Sequence, residues 1–85
     1  MIVQAYVIFE VGAAADDNAT TERLRSTSLG NCKQLIIGRH ARDVFVHIAC
    51  DEQHGSTHLQ QAMLDLSRVE GVVRATLVSV KHSAE

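Results

Sequence analysis

The chain is 85 residues long, is 46% hydrophobic and 21% charged, and carries a formal net charge of −2. This composition is typical of one globular domain rather than a disordered tail. A chain with no excess of basic residues cannot neutralise a nucleic-acid backbone through its overall charge, so we expect no direct nucleic-acid partner. Its apolar runs are too short to span a membrane, and a domain this small often gains stability by oligomerising.

The amino-terminal segment predicts a strand over residues 2–11. Its odd positions are all apolar and its even positions are mixed, as expected when one face packs on the core and the other is partly covered. We expect a second copy of the chain to cover that face. Met1–Gln4 lacks the basic start of a signal peptide. We therefore expect a cytoplasmic protein in which Cys32 and Cys50 are reduced, buried thiols.

Residues 12–31 carry weaker signals. Aspartate and asparagine, which commonly begin helices, follow a short run of alanines. The segment after them has helical propensity but only one large apolar residue, Leu24. We predict a helix within residues 16–28 that ends before the Gly30–Asn31 pair.

Two β-branched runs around a short polar segment predict a β-hairpin. Cys32–Ile37 forms the second strand and Asp43–Cys50 the third, with Gly38 and Asp43 at the ends of the loop between them. One face of the third strand is apolar and is expected to be buried. Its residues are Val44, Val46, Ile48 and Cys50.

Ser56 or Thr57 is expected to cap the clearest helix of the chain. Thr57–Gln60 matches the capping box, in which the cap hydroxyl and the glutamine side chain satisfy each other's free backbone donors. Apolar residues then recur at helical spacing and form one stripe. They are Leu59, Ala62, Met63 and Leu66. Gly71 ends the helix, since glycine tolerates the left-handed conformation common at that position.

Val72–Lys81 predicts the fourth strand, and His82–Glu85 a short polar tail. The expected core residues of this strand are Val73, Ala75 and Leu77. The order of elements is then β-α-β-β-α-β in one domain spanning residues 1–85. Right-handed crossovers turn this order into an α+β, ferredoxin-like sandwich, with a four-stranded antiparallel sheet and two helices on one face.

Both ends of the chain resemble the ligand-binding (RAM) domains of the Lrp/AsnC family. Val3–Ile8 is similar to the opening of those domains, and Val69–Thr76 to the end of their second helix and the start of their fourth strand. The family also places a glycine and an aspartate around the turn between strands two and three, where this chain has Gly38 and Asp43. Family members have two residues between them and this chain has four, so we expect a longer hairpin loop.

The resemblance implies a stand-alone effector-binding and assembly domain that lacks the family's helix-turn-helix. Its expected role is in transcriptional or metabolic regulation. It would form dimers, or rings of dimers, through the sheet faces. A small molecule, typically an amino acid, would bind between subunits near the hairpin, and no cofactor is expected.

The candidate ligand site combines the hairpin loop with the start of the second helix. Arginine can hold the carboxylate of an amino acid and aspartate its ammonium group, and a first helical turn can add N–H donors for an anion. The candidate residues are Gly38, Arg39, His40, Arg42, Asp43, Ser56 and Thr57. The alternative interpretation is a solvated hairpin tip with a local Arg–Asp pair, and simple capping of the helix.

A metal site is a further alternative. Cys50, His54 and His58 recur every four residues, and His47 lies on the preceding strand. Imidazole and thiolate at such spacing can bind zinc, nickel or copper. His54 precedes the helix cap, however, and Cys50 lies on an apolar face, so we expect a buried thiol and surface histidines and assign no metal ligand.

Two other functions stay open beside the expected non-enzymatic module. A small dimeric enzyme of this fold, of monooxygenase or isomerase type, would use an apolar sheet cavity lined by Tyr6, Phe45 and His47, although we assign no catalytic residue. Val69–Val72 also resembles the maturation chaperones of periplasmic nitrate reductase, which bind a signal peptide. Such a chaperone should be a monomer, so the mass in solution separates it from an assembly module.

Overall fold

The computed structural model describes residues 1–83 and contains all six predicted elements in the predicted order. They are β1 (Ile2–Val11), α1 (Asp17–Ser26), β2 (Cys32–His40), β3 (Asp43–Asp51), α2 (Thr57–Ser67) and β4 (Val72–Ser83). The strands form one antiparallel sheet in the order β2-β3-β1-β4, which confirms the α+β, ferredoxin-like fold. No helix within residues 1–83 is long and apolar enough to cross a membrane. Ala84 and Glu85 of the predicted tail lie outside the described residues.

The core lies between one face of the sheet and the two helices. As predicted, β1 buries its odd positions and β3 its even positions. The helices contribute Leu24 from α1 and Leu59, Ala62 and Leu66 from α2. Burying each large aliphatic side chain stabilises the fold by about 1.5–3 kcal/mol. This layering leaves the second face of the sheet without cover from the helices.

Helix α1 lies within its predicted bounds, and side chains form hydrogen bonds with free backbone groups at both of its ends. Asp16 is the N-cap, and its carboxylate accepts a hydrogen bond from the Ala19 N–H at 2.8 Å. At the other end, the Gln34 amide of β2 donates to the carbonyl oxygens of Leu24, at 2.6 Å, and Thr27, at 2.9 Å. The side chain from β2 therefore satisfies carbonyls that the end of a helix leaves free.

Strand β4 differs from its prediction because it contains bulges. Val73 is 64% exposed rather than buried, since Val11 pairs with Val72 and Glu10 with Arg74, which leaves Val73 as an extra residue. The predicted core position of Val73 is therefore wrong, whereas Ala75 packs against the core. The strand also continues beyond the predicted end at residue 81.

Leu77 was likewise expected in the core and is instead 45% exposed. Its partner Val7 is buried, so Leu77 lies on the helix side of the sheet. β4 is an edge strand. The helices therefore cover the helix-side surface of this strand only in part. His82 and Ser83, expected in a polar tail, belong to this strand.

The two cysteines form a disulfide, so the predicted pair of reduced thiols is wrong. Cys32 and Cys50 face each other in the β2–β3 ladder, with their Cα atoms 4.1 Å apart. Both lie on the buried face of the sheet. Spacing along the chain does not reveal which residues face each other across strands. Disulfides are rare in cytosolic proteins, so this bond does not support the expected cytoplasmic location.

Gly71 was predicted to end α2, but the helix ends at Ser67 with Arg68 as its C-cap. Gly71 instead lies in the turn that leads into β4, at a position where a side chain does not fit. Its φ is +101°, and a Cβ added there would overlap the hydroxyl oxygen of Thr20. We expect Gly71→Ala to lower the free energy of unfolding by about 1–2 kcal/mol, measured by urea denaturation. Gly38→Ala is the control, because a Cβ there would meet nothing within 4 Å. Equal unfolding midpoints for the two variants would contradict this prediction.

Candidate functional site

The sheet face opposite the helices, which we name the open face, exposes large apolar side chains. Leu35 and Ile37 of β2 are 65% and 54% exposed, and Val78 of β4 is 59% exposed. On the central strands, Ile8 and Phe45 are half-buried beside them. Contiguous apolar surface of this kind marks an interface or a ligand site.

The strand register arranges the open face in four rows that cross all four strands, and Ile2 with its partners Asp51 and Ser83 forms a shorter row at one end. From one end to the other the four rows are Lys33–Ala49–Gln4–Lys81, Leu35–His47–Tyr6–Ser79, Gly38–Phe45–Ile8–Thr76 and His40–Asp43–Glu10–Arg74. We name the first the lysine row and the last the acidic row. In the acidic row, Arg74 Nε lies 3.8 Å from Glu10 Oε1. The two charged rows therefore flank two rows that are largely apolar.

Each edge strand carries a β-bulge at the level of the apolar rows. Ile37 is the extra residue in β2, between Ile36 and Gly38, and Val78 is the extra residue in β4, between Leu77 and Ser79. A bulge bends its strand and increases the local twist. Both bulges therefore shape the same part of the open face.

Between the bulges lies a concavity of about 470 Å³, which we name the trough. It is lined by Tyr6, Val7, Ile8, Ile37, Phe45, Val46, Val78 and Ser79. The surface that these residues present to the trough is almost entirely apolar. Small-molecule pockets are likewise lined mainly by apolar and aromatic groups.

A tyrosine–histidine pair lies beside the trough. The ring centroids of Tyr6 and His47 are 5.0 Å apart, and His47 Nε2 lies 3.0 Å from Gln4 Oε1. The amide thus fixes the orientation of the imidazole ring. Tyr6 and Phe45, which the enzyme alternative places in a sheet cavity, both line the trough, whereas His47 lies at its edge.

The β2–β3 hairpin is tighter than predicted. β2 continues to His40, which pairs with Asp43, so the turn contains only Ala41 and Arg42. Ala41 has a φ of 54°, the left-handed conformation that two-residue hairpin turns require. The predicted four-residue loop between Gly38 and Asp43 is wrong because the polar residues after Gly38 pair in the ladder.

Arg42, a predicted ligand residue, bonds to the chain itself. Its Nε donates to the Val11 carbonyl at 3.1 Å, and its Nη2 donates to the carbonyl oxygens of Gly12 and of Ala15, the latter at 2.9 Å. Nη2 also lies 3.4 Å from Asp17 Oδ1. Arg42 therefore anchors the segment between β1 and α1 to the hairpin.

The other hairpin candidates are divided between the two faces of the sheet. Arg39 pairs with Val44, whose side chain is buried, and its Nη1 donates to Thr21 Oγ1 of α1 at 3.3 Å. His40 and Asp43 lie in the acidic row of the open face. These side chains do not converge on one pocket within a single copy of the chain.

Ser56 and Thr57 lie at the opposite end of the molecule from the hairpin turn. The turn precedes β3, whereas α2 follows it, and β3 is nine residues long. At about 3.3 Å per residue, this strand separates the two groups by roughly 26 Å. The predicted site that combined the hairpin with the start of α2 is therefore not assembled within one copy.

A buried glutamate caps α2 in place of the predicted capping box. Ser56 is the N-cap, but its side chain makes no capping hydrogen bond. Glu52 Oε1 accepts from the His58 N–H at 3.0 Å, and Oε2 from the Leu59 N–H at 2.8 Å. Glu52 is only 1% exposed. The capping role predicted for Thr57 is wrong because an acidic residue upstream of the helix takes its place.

The surroundings of Glu52 favour its charged form. Burial raises the pKa of this carboxyl, but the hydrogen bonds from the His58 and Leu59 N–H groups, with the charge of His58 and His82, outweigh burial. The pKa is therefore lowered from its ordinary value of 4.5. The positive end of the helix dipole also favours an anion at this position.

Beside this cap lies a polar pocket of about 370 Å³. It is lined by Asn31, Asp51, Glu52, Gln53, His54, Thr57 and His58. His58 Nδ1 lies 2.8 Å from the Asp51 carbonyl oxygen, and Nε2 lies 3.2 Å from Asn31 Nδ2. Protein groups thus contact both ring nitrogens, and the ring serves to position the start of α2.

The metal alternative finds no support in the part of the chain that the structure describes. Across residues 1–83, no three or more histidine, cysteine, aspartate or glutamate side chains come together to hold a metal ion. Cys50 is bonded to Cys32 and so is not a thiolate ligand.

Two features of the site were missed from the sequence. The only signal for Glu52 was an acidic residue shortly before a helix start, a position that also fits a solvated turn. The bulges at Ile37 and Val78 interrupt apolar runs without any break in composition. A glycine in a strand, such as Gly38, is a weak indicator of a bulge.

No protein-family model and no curated protein matches the chain. The resemblance to Lrp/AsnC ligand-binding domains stays a prediction made from short motifs. A ferredoxin-like fold supports many unrelated functions, so the proposed function has to be argued from the surfaces of this chain.

Proposed function

We propose that this chain is a self-assembling, small-molecule-binding module in which two copies pack through their open faces. The observation that supports this most is the exposure of Leu35, Ile37 and Val78, each more than half exposed on one face of the sheet. The helices cover the opposite face and leave this one free for a partner. We further propose a role in regulation, as in the Lrp/AsnC ligand domains that the sequence resembles.

The open face is large enough for a specific pair. Strands of nine or ten residues are about 30 Å long, and four of them span about 19 Å, so each face offers about 600 Å². A pair of faces would bury about 1,200 Å² in total, which reaches the lower limit for a specific interface. Two sheets also pack readily face to face when their inner surfaces are apolar.

The charged rows indicate how the two copies are oriented. If the rows of one copy run opposite to those of its partner, each strand lies over the same strand of the partner. Lys33 and Lys81 then lie over the partner's His40 and Arg74 and beside the two carboxylates of the partner's acidic row. If the rows run in the same direction, lysine lies over lysine and carboxylate over carboxylate. Like charges facing each other are unfavourable, and the reversed arrangement has fewer such contacts. We therefore assign the reversed arrangement.

An amino-acid effector near the hairpin remains part of the proposal. Arg42 donates to backbone carbonyls, so Arg39, which is exposed, is the better placed arginine for a carboxylate. Because Arg39 lies on the helix side of the sheet, a copy from a neighbouring dimer, rather than the partner on the open face, would have to complete that site. This is consistent with ligand binding between subunits of a ring of dimers.

The interface is tested by placing a charge on it. We expect Leu35→Asp, on the open face, to weaken self-association about tenfold or more, because a carboxylate would be buried against apolar groups. Leu64→Asp is the matched control, since Leu64 is also an exposed leucine (42%) but lies on α2. Sedimentation equilibrium measures both. Dissociation of both variants, or of neither, would contradict the proposed interface.

A further inference from the structure

We infer that the trough is a binding site for a small, neutral aromatic molecule, enclosed between two copies of the chain. The inference rests on the proposed function, because the second copy supplies the cover. The trough volume of about 470 Å³ falls within the range of small-molecule pockets.

The bulges show that the trough is built into the sheet. Ile37 and Val78 lie on opposite edge strands, yet both are extra residues at the level of the same rows and both line the trough. Bulges recur beside functional sites because they redirect side chains. Next to one of them, Gly38 adds space, since a Cβ there would have nothing within 4 Å.

The reversed arrangement brings two troughs together. Reversing the order of the rows places the Tyr6 row of one copy over the partner's Ile8 row. Both rows contribute to the trough lining, so the two concavities overlap near the centre of the interface. A ligand held there is shielded from water, which strengthens any hydrogen bond that it makes.

The lining of the trough defines the ligand chemistry. Tyr6 and Ser79 are level with each other in the β1–β4 ladder and both line the trough, but the surface that the lining presents to the trough is almost entirely apolar. The lining therefore favours a flat apolar body, and Phe45 offers a ring for stacking. These features together favour a neutral aromatic compound without a charged group.

The test uses N-phenyl-1-naphthylamine, a neutral aromatic probe that becomes fluorescent in apolar surroundings. We expect the full chain to bind it saturably, with one or two probes per dimer. Ser79→Phe fills the trough, so the probe loses its contacts with the lining and should bind at least tenfold more weakly. Ile37→Trp fills it from the other edge and should do the same. Val80→Phe is the control, on the same strand but on the helix side of the sheet, since Val80 pairs with the buried Ala5.

The outcomes separate this inference from the proposed function. A dimeric wild-type chain with no saturable fluorescence would overturn the inference and leave the assembly proposal intact. Equal weakening by Ser79→Phe and Val80→Phe would show that the lost binding does not depend on the trough and would also overturn the inference. A monomeric wild-type chain would overturn both. Sedimentation of each variant shows whether lost binding reflects a filled trough or a lost dimer.

Discussion

Reduction of the Cys32–Cys50 disulfide is expected to lower the free energy of unfolding by about 3 kcal/mol. The bond joins residues 18 apart in sequence, and a cross-link of that span restricts the unfolded chain. In the native state it ties the edge strand β2 to β3. Domains of this size are stable by only about 5–15 kcal/mol, so the loss would be a large fraction of the total.

Urea denaturation of three samples measures this effect. They are the oxidised chain, the fully reduced chain, and a Cys32→Ala, Cys50→Ala double variant. We expect the second and third to unfold at similar, lower urea concentrations, and reductant to leave the double variant unchanged. Because both cysteines are buried, reduction must be verified by thiol labelling and mass. An unchanged midpoint in a chain shown to be fully reduced would contradict the prediction.

Loss of the Glu52 carboxylate is expected to destabilise the chain by about 2–3 kcal/mol, because two backbone donors at the start of α2 lose a buried, charged acceptor. The variant is Glu52→Ala, with Asp51→Ala as the matched control. Asp51 is the neighbouring acid, its side chain is 79% exposed, and it lies 3.9 Å from the terminal amino group. An exposed pair of that kind contributes little. Equal midpoints for the two variants in urea would show that Glu52 is not the cap.

The same carboxylate predicts a dependence of stability on pH. The pKa of Glu52 is lowered in the folded chain, so its contribution is fully present above its ordinary pKa of 4.5. That contribution is lost as the pH falls through the lower, folded-state pKa. Glu52→Gln cannot titrate, and its stability should therefore fall less steeply on the acid side. Identical acid profiles for the two chains would contradict this assignment.

The layers of the fold could be predicted because they depend on side-chain periodicity. Apolar residues alternate along the whole of β1, and the apolar stripe of α2, with Leu59 and Leu66, recurs over several turns. Because each pattern repeats, one misassigned residue does not change the predicted element. Helix α1 also lies within its predicted limits, whereas α2 ends at Ser67, before the predicted stop at Gly71. The order of the elements also correctly predicted a sheet with both helices on one face. The second copy expected from the mixed second face of β1 stays a prediction.

The predictions that were wrong concern features that depend on which residues face each other across strands. The disulfide forms because Cys32 lies opposite Cys50, and Val73 is exposed because β4 has a bulge there. The spacing of residues along the chain predicts neither feature. The tight hairpin arises because residues after Gly38 continue the ladder. Glu52 caps α2 although it lies upstream of the predicted capping box. Each of these is settled by tertiary pairing rather than by local propensity.

The central claim is that the open face is the contact between two copies of this chain. Its most direct test is sedimentation equilibrium of the wild-type chain at micromolar concentrations, in low and high salt. We predict a species of twice the 9.3 kDa chain mass, with dissociation favoured by salt because the lysines of each copy lie beside the carboxylates of the partner's acidic row. A dimer strengthened by salt would contradict the reversed orientation. A monomer at every concentration would contradict the claim itself and favour the peptide-binding alternative.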